Sequence, residues 1–153
     1  MPKATEPLLL LDTHIWIWLT EGKVQNVAPG IPEAVERAAA SDRLVLSAIS
    51  WWELGRLLEQ NRIRIAKDLL DWITATRRSP GARIESVSAS TLLDAARLPD
   101  LAHKDPVDRI LAATARELEA TLVTCDAELI AYGKRGHVRV LDARPVPPSL
   151  LPV

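Results

Sequence analysis

The chain has 153 residues, a length that suits one unit built around one hydrophobic core. Hydrophobic residues make up 48% and charged residues 25%, and no apolar run approaches the roughly 20 residues needed to span a bilayer, which excludes a helical membrane protein. A net charge of -1 excludes a global basic field for nucleic acid, and a single cysteine, Cys125, excludes an internal disulfide. The opening residues, MPKATEP, lack the cationic and apolar stretches of a secretory signal, so the expected location is cytoplasmic.

In chain order, Leu8 to Leu11 reads as a strand buried on both faces, and Thr13 to Leu19 as a short helix. Residues Glu21 to Pro32 carry two glycines and two prolines and read as a loop, followed by an alanine-rich helix over Glu33 to Ala40. Leu44 to Ser47 is a second buried strand. Trp51, Leu54, Leu57 and Leu58 recur at helical spacing within Ser50 to Gln60, and Ile65 to Thr76 continues as helix. Arg77 to Arg83 is a turn, Ile84 to Val87 a short third strand, and Ala89 to Arg97 a helix stopped by Pro99.

The best-marked helix follows: Asp105 caps it, Pro106 suits its first position, and Ile110, Leu111, Thr114, Ala115 and Leu118 form its packing face. Thr121 to Thr124 is a fourth strand, Ala127 to Tyr132 a helix, and Val138 to Leu141 a fifth strand. The expected organisation is one domain over residues 1–153, with an N-terminal extension at 1–7 and a proline-rich tail at 143–153. Short apolar strands alternating with helices predict an α/β fold with a parallel sheet covered on both faces. Ligands of such sheets collect beyond the carboxyl ends of the strands, near a change in strand order.

Four acids fall on that edge. Asp12 follows the first strand and Asp126 the fourth, Glu53 lies just past the second, and Asp108 lies one turn into the well-marked helix. Each has a structural reading: Ser50 and Glu53 match a capping box, Asp108 suits the helix dipole, and Asp12 and Asp126 suit helix caps. Capping does not require convergence, however. Clustered carboxylates repel and raise one another's pKa values, a cost that a divalent cation removes. Oxygen ligation suits Mg²⁺ or Mn²⁺, and Cys125 and His103 form no zinc spacing.

The ordered segments LLLLDTHIWIWL, LSAISWWEL, HKDPVDRILAATA and LVTCDAEL resemble the PIN-domain nucleases, most closely the VapC-type toxins of toxin-antitoxin pairs, from Leu8 to about Leu141. The resemblance implies a three-layer α/β/α sandwich with a five-stranded parallel sheet. It further implies a Mg²⁺- or Mn²⁺-dependent endoribonuclease acting on RNA, a homodimer, and inhibition by a VapB-type antitoxin. The family's acidic quartet falls on Asp12, Glu53, Asp108 and Asp126, with Asp12, Asp108 and Asp126 holding the metal and Glu53 orienting the nucleophile or completing the metal shell. Thr13 and Thr124 match hydroxyls that orient carboxylates or water on the ion. Asp105 reads chiefly as a helix cap with water-mediated metal contact as its other role, and Arg109 as a phosphate ligand or an internal salt bridge.

Phenylalanine is absent, and the five tryptophans include the pairs Trp16/Trp18 and Trp51/Trp52. Neighbours at these spacings diverge around a helix, so one of each pair should leave the core. The tryptophans can pack in the core, face a protein partner or stack on an RNA base, and the partner reading has Trp16, Trp52 or both lining a groove for an antitoxin helix or strand. Other Asp-bearing α/β folds fit poorly: His14 stands where a haloacid-dehalogenase-like phosphatase has a second acid, the paired early acids and late lysine of a receiver domain are missing, and no glycine-rich dinucleotide turn follows the first strand. The competing role is non-catalytic, as the protein half of a complex that binds operator DNA.

Overall fold

Three successive leucines in an extended segment send side chains to alternate faces, so a strand of this kind needs cover on both sides. The computed structural model, which describes residues 5–65, 68–78 and 80–146, provides it. Strand β1 (Leu9–Leu11) leads into α1 (Thr13–Thr20), a short 3-10 turn at Val24–Asn26 and α2 (Ile31–Ala40). Strand β2 (Leu44–Ser47) is followed by α3 (Ala48–Glu59) and α4 (Leu69–Thr76), then β3 (Arg83–Glu85), α5 (Ala89–Ala96) and α6 (Pro106–Leu118). Strand β4 (Thr121–Thr124), α7 (Ala127–Lys134) and β5 (Arg139–Asp142) complete the order.

All five strands are parallel, in the order β3-β2-β1-β4-β5. Leu10 of β1 pairs with Val45 on one side and Leu122 on the other. On one face Leu8, Leu10, Val45 and Leu122 pack with Ala95 of α5, Leu111 of α6 and Leu129 of α7. On the other, Leu9, Leu11, Leu44, Leu46 and Val123 pack with Ile15 and Trp16 of α1, Val35 of α2 and Leu54 of α3. This is the expected three-layer sandwich. Each buried leucine, isoleucine or valine here contributes on the order of 1.5–3 kcal/mol over its exposed state. The chain adds β2 and β3 outward from β1, then crosses back to place β4 and β5 on β1's other side, so the change of direction falls between β1 and β4.

Several expected boundaries move. The loop expected through Pro32 ends at Gly30, whose φ of 91° suits glycine, and α2 begins with Ile31 and Pro32. Helix α3 starts at Ala48 because Ser47 takes extended geometry and its hydroxyl accepts from the Ile49 N–H at 3.2 Å. Strands β3 and β5 are displaced by one or two residues from the sequence reading. The helix expected from Ile65 is described from Leu69, residues 66–67 of that stretch and residue 79 of the expected turn lying outside the described residues. Residues 1–4 of the expected extension and 147–153 of the expected tail also lie outside them. The tail's first residue, Ala143, is fully buried, with its N–H bonded to Thr124 O and its carbonyl accepting from Ala28 N. No helix among the described residues is long and apolar enough to cross a membrane.

Candidate active site

Asp12 leaves the end of β1 with its N–H bonded to the Val123 carbonyl, which fixes it at the crossover between β1 and β4. Its side chain is only 7% exposed and does not cap α1; instead Oδ2 accepts a 2.6 Å hydrogen bond from Thr124 Oγ1. The same Thr124 oxygen accepts from the Asp126 N–H at 2.9 Å, so one hydroxyl ties both strand-end acids together. Asp126 divides its oxygens between two tasks. Oδ1 caps α7 through the Leu129 N–H, whereas Oδ2 lies 3.5 Å from His103 Nε2.

Asp105 caps α6 through Val107 N and Asp108 N, with Pro106 in the first turn, and so sets Asp108 at the third helical position. Asp108 Oδ2 comes 2.7 Å from His103 Nε2. The capping box expected of Ser50 and Glu53 does not form. With Ser47 as the cap, Ser50 sits inside the helix, fully buried, and accepts from Thr13 Oγ1 at 2.9 Å. Glu53 is therefore a mid-helix residue with no capping task, and its Oε2 is buried without a hydrogen-bond partner. Thr13 spends its hydroxyl on Ser50, not on a carboxylate.

Asp12, Glu53, Asp105, Asp108 and Asp126 line one cavity of about 270 Å³ together with His14, Trp18, Arg62 and Cys125. A larger cavity, about 860 Å³, opens between α6, α7 and β5, but none of these acids reaches it. The cavity's electrostatics follow from its contents. Burial raises the Asp12 pKa, opposed chiefly by the Thr124 hydrogen bond. Burial, followed by the charges of Asp12, Asp105 and Asp126, pushes Asp108 up to about 8, with His103 opposing. Burial disfavours the charged His103, yet the carboxylates of Asp108, Asp126 and Glu128 outweigh it and raise its pKa. A proton is thus retained among these groups at a pH where isolated carboxylates are ionised.

Other side chains depart from their expected roles. Arg109 makes no salt bridge among the described residues; its guanidinium donates to the carbonyls of Ala95, Ala96, Leu101 and His103, binding the segment before α6 to α5. Trp16 offers no surface to a partner, because it is 1% exposed and packs edge-on against Trp51 and Trp72. Trp52 does leave the core, 53% exposed beneath the Arg56 guanidinium. Sequence reasoning missed His103, Trp18 and Arg62. For His103 the available signal was its place two residues before the cap Asp105, which lays it across the start of α6; Arg62 follows α3 in a turn and carried no such signal.

The PIN domain pattern matches residues 9–135, which spans the sheet from β1 through α7. Ribonuclease VapC22 of Mycobacterium tuberculosis (strain ATCC 25618 / H37Rv) is 36% identical over 124 residues, covering 81% of this chain and 91% of the relative. Two solved structures share the fold. VapBC2 from Rickettsia felis, bound to a DNA fragment from the promoter, aligns with a TM-score of 0.64 at 17% identity, over 88% of this chain and 98% of the other. FitAcB from Neisseria gonorrhoeae aligns with a TM-score of 0.54 at 21% identity, over 88% and 96%. With the pattern covering most of its length and the first relative matched nearly end to end, the chain belongs to the PIN domain family.

Proposed function

We propose that this protein is a divalent-metal-dependent endoribonuclease and the toxin of a VapBC-type pair, inhibited by a VapB-type antitoxin, folded as a single domain and working as a cytoplasmic homodimer. The observation that carries the reading is the convergence of Asp12, Glu53, Asp108 and Asp126, from four separate parts of the chain, on one cavity. A ribonuclease is the 36%-identical relative, which supports RNA as the substrate. The fold shared with VapBC2, itself a complex, supports a protein partner.

The residues suit a cation. Glu53 Oε2 and His103 Nε2 are buried without hydrogen-bond partners, and the carboxylate oxygens are the hard donors that Mg²⁺ and Mn²⁺ take. Asp12, Asp108 and Asp126 would hold the ion, with Glu53 beside it. When bound, such an ion supplies charge compensation for the phosphate and a lower pKa for a coordinated water. Thr124 holds Asp12 in one orientation, and Asp105 fixes the turn that presents Asp108. Glu53 accepts a hydrogen bond from the attacking water and aims it at phosphorus. Hydrolysis joins the water oxygen to phosphorus and breaks one ester bond, with no covalent enzyme intermediate. Trp18 and His14 offer flat faces to a base, and Arg62 a guanidinium to phosphate.

The competing reading, a binding partner in a DNA-bound complex, draws on the same VapBC2 structure, which was solved on promoter DNA. Four carboxylates facing one cavity give such a partner nothing that a neutral pocket would not. Mixed RNA incubated with the protein and Mn²⁺, with and without chelator, separates the two. Cutting that needs Mn²⁺ and disappears in Asp12→Asn is the expected result; intact RNA in every lane would favour the partner role.

A further inference from the structure

His103 faces three carboxylates, those of Asp108, Asp126 and Glu128, where one would complete an ion pair. Its Nε2 is buried, 2.7 Å from Asp108 Oδ2 and 3.5 Å from Asp126 Oδ2, at ion-pair distance from both but without the angles of a well-formed hydrogen bond to either. On the other side of the ring, Nδ1 lies 3.1 Å from Glu128 Oε2. One donor atom from each of His103, Asp108 and Asp126 falls within 4.8 Å of the others. A ligating histidine characteristically gives its second ring nitrogen to a carboxylate, which fixes the tautomer and turns the free lone pair toward the ion. Glu128, carried on the first turn of α7 beside Asp126, stands where that carboxylate belongs.

We propose that His103 is a nitrogen ligand of the divalent cation, completing a mixed site with Asp108 and Asp126, with Glu128 positioning its ring. This rests on the reading of the cavity as a cation site and deepens it by naming the ion. Imidazole is a softer donor than carboxylate, so a site that includes it favours Mn²⁺ over Mg²⁺ relative to an all-oxygen cage. The nitrogen comes from the segment preceding α6, which Arg109 holds by bonding the His103 carbonyl itself.

The test is pulsed electron paramagnetic resonance on the full chain loaded with Mn²⁺ alone, read together with Mn²⁺ and Mg²⁺ affinities from calorimetry. The wild type is expected to show ¹⁴N modulation from a directly bound imidazole. His103→Gln should abolish it and weaken Mn²⁺ by about 10-fold or more while Mg²⁺ changes little; Glu128→Gln should keep the modulation and weaken Mn²⁺ by roughly 10-fold. Bound Mn²⁺ without nitrogen modulation in the wild type would overturn the histidine ligand and leave the carboxylate site standing. Modulation that persists in His103→Gln would shift the nitrogen to another residue, His14 being the one in the same cavity, and overturn the assignment. Failure of the wild type to bind Mn²⁺ at all would remove both this inference and the cation reading beneath it.

Discussion

Thr124 Oγ1 donates to Asp12 Oδ2 at 2.6 Å across 112 residues of sequence, joining the ends of the two central strands. The bond sits where the chain reverses its direction of strand addition, and it is fully enclosed, since Thr124 has no exposed surface. Thr124→Val preserves the side chain's shape and strands a buried carboxylate oxygen. The expected cost is about 1–3 kcal/mol by urea unfolding, with a drop in Mn²⁺ affinity of roughly 10-fold or more. An unchanged unfolding midpoint and affinity would show that this hydroxyl holds nothing in place.

Glu53→Gln separates chemistry from architecture. Ser47, not Ser50, caps α3, so Glu53 has no share in the helix start and the amide replaces it nearly without volume change. Unfolding free energy should move by less than about 0.5 kcal/mol, typical of a substitution outside any structural network. Cleavage should fall by about 100-fold or more if the carboxylate aims the water. Full activity in this variant would place Glu53 outside the reaction.

The metal-free protein should lose stability as the solution becomes more alkaline. Asp108 titrates at about 8 in the fold against 3.8 for the free side chain, so its protonated form binds the native state preferentially. That contribution is complete below pH 3.8 and is lost progressively as pH rises to about 8. Against the cost of burial, His103 is raised by the ionised forms of Asp108, Asp126 and Glu128, so it shares this proton with Asp108 and adds no separate contribution, and the sign is the same: stability is present below 6.5 and fades as pH climbs through the folded value. Thermal midpoints in the presence of chelator should therefore decline between weakly acid and weakly alkaline buffer. Asp108→Asn should flatten the decline. A wild-type midpoint that rises over this interval contradicts the electrostatic account.

Gly133 tests the packing of α7 on β5. A Cβ built there would lie 2.7 Å from Val140 Cγ2 and 2.8 Å from Val140 Cβ, and a β-branched side chain has little freedom to retreat. Gly133→Ala should destabilise by about 1–3 kcal/mol in urea, despite alanine's better helix propensity. A more stable variant would mean that helix and strand stand farther apart.

Local patterns carried most of the fold. Apolar runs such as Leu8 to Leu11 and Leu44 to Ser47 announce strands because a short run buried on both faces has few other solutions, and Pro106 behind Asp105 marks a helix start. The Ser50–Glu53 pattern misled because serine also serves inside helices, and only tertiary contact with Thr13 decides which serine caps. Trp16 was equally opaque: helical spacing shows that Trp16 and Trp18 diverge, but not which of them meets Trp51 and Trp72. The acids could be named from strand ends and helix starts. For His103 the only sequence signal is its place two residues before Asp105; its role depends on three carboxylates that reach it from α6, the end of β4 and α7.

The proposed function depends on a cation offsetting the repulsion among the cavity's carboxylates. Anomalous diffraction from a crystal grown with Mn²⁺ tests it most directly. The account predicts a manganese peak bounded by oxygens of Asp12, Asp108 and Asp126. Well-ordered side chains in this cavity with no anomalous peak among them would contradict it.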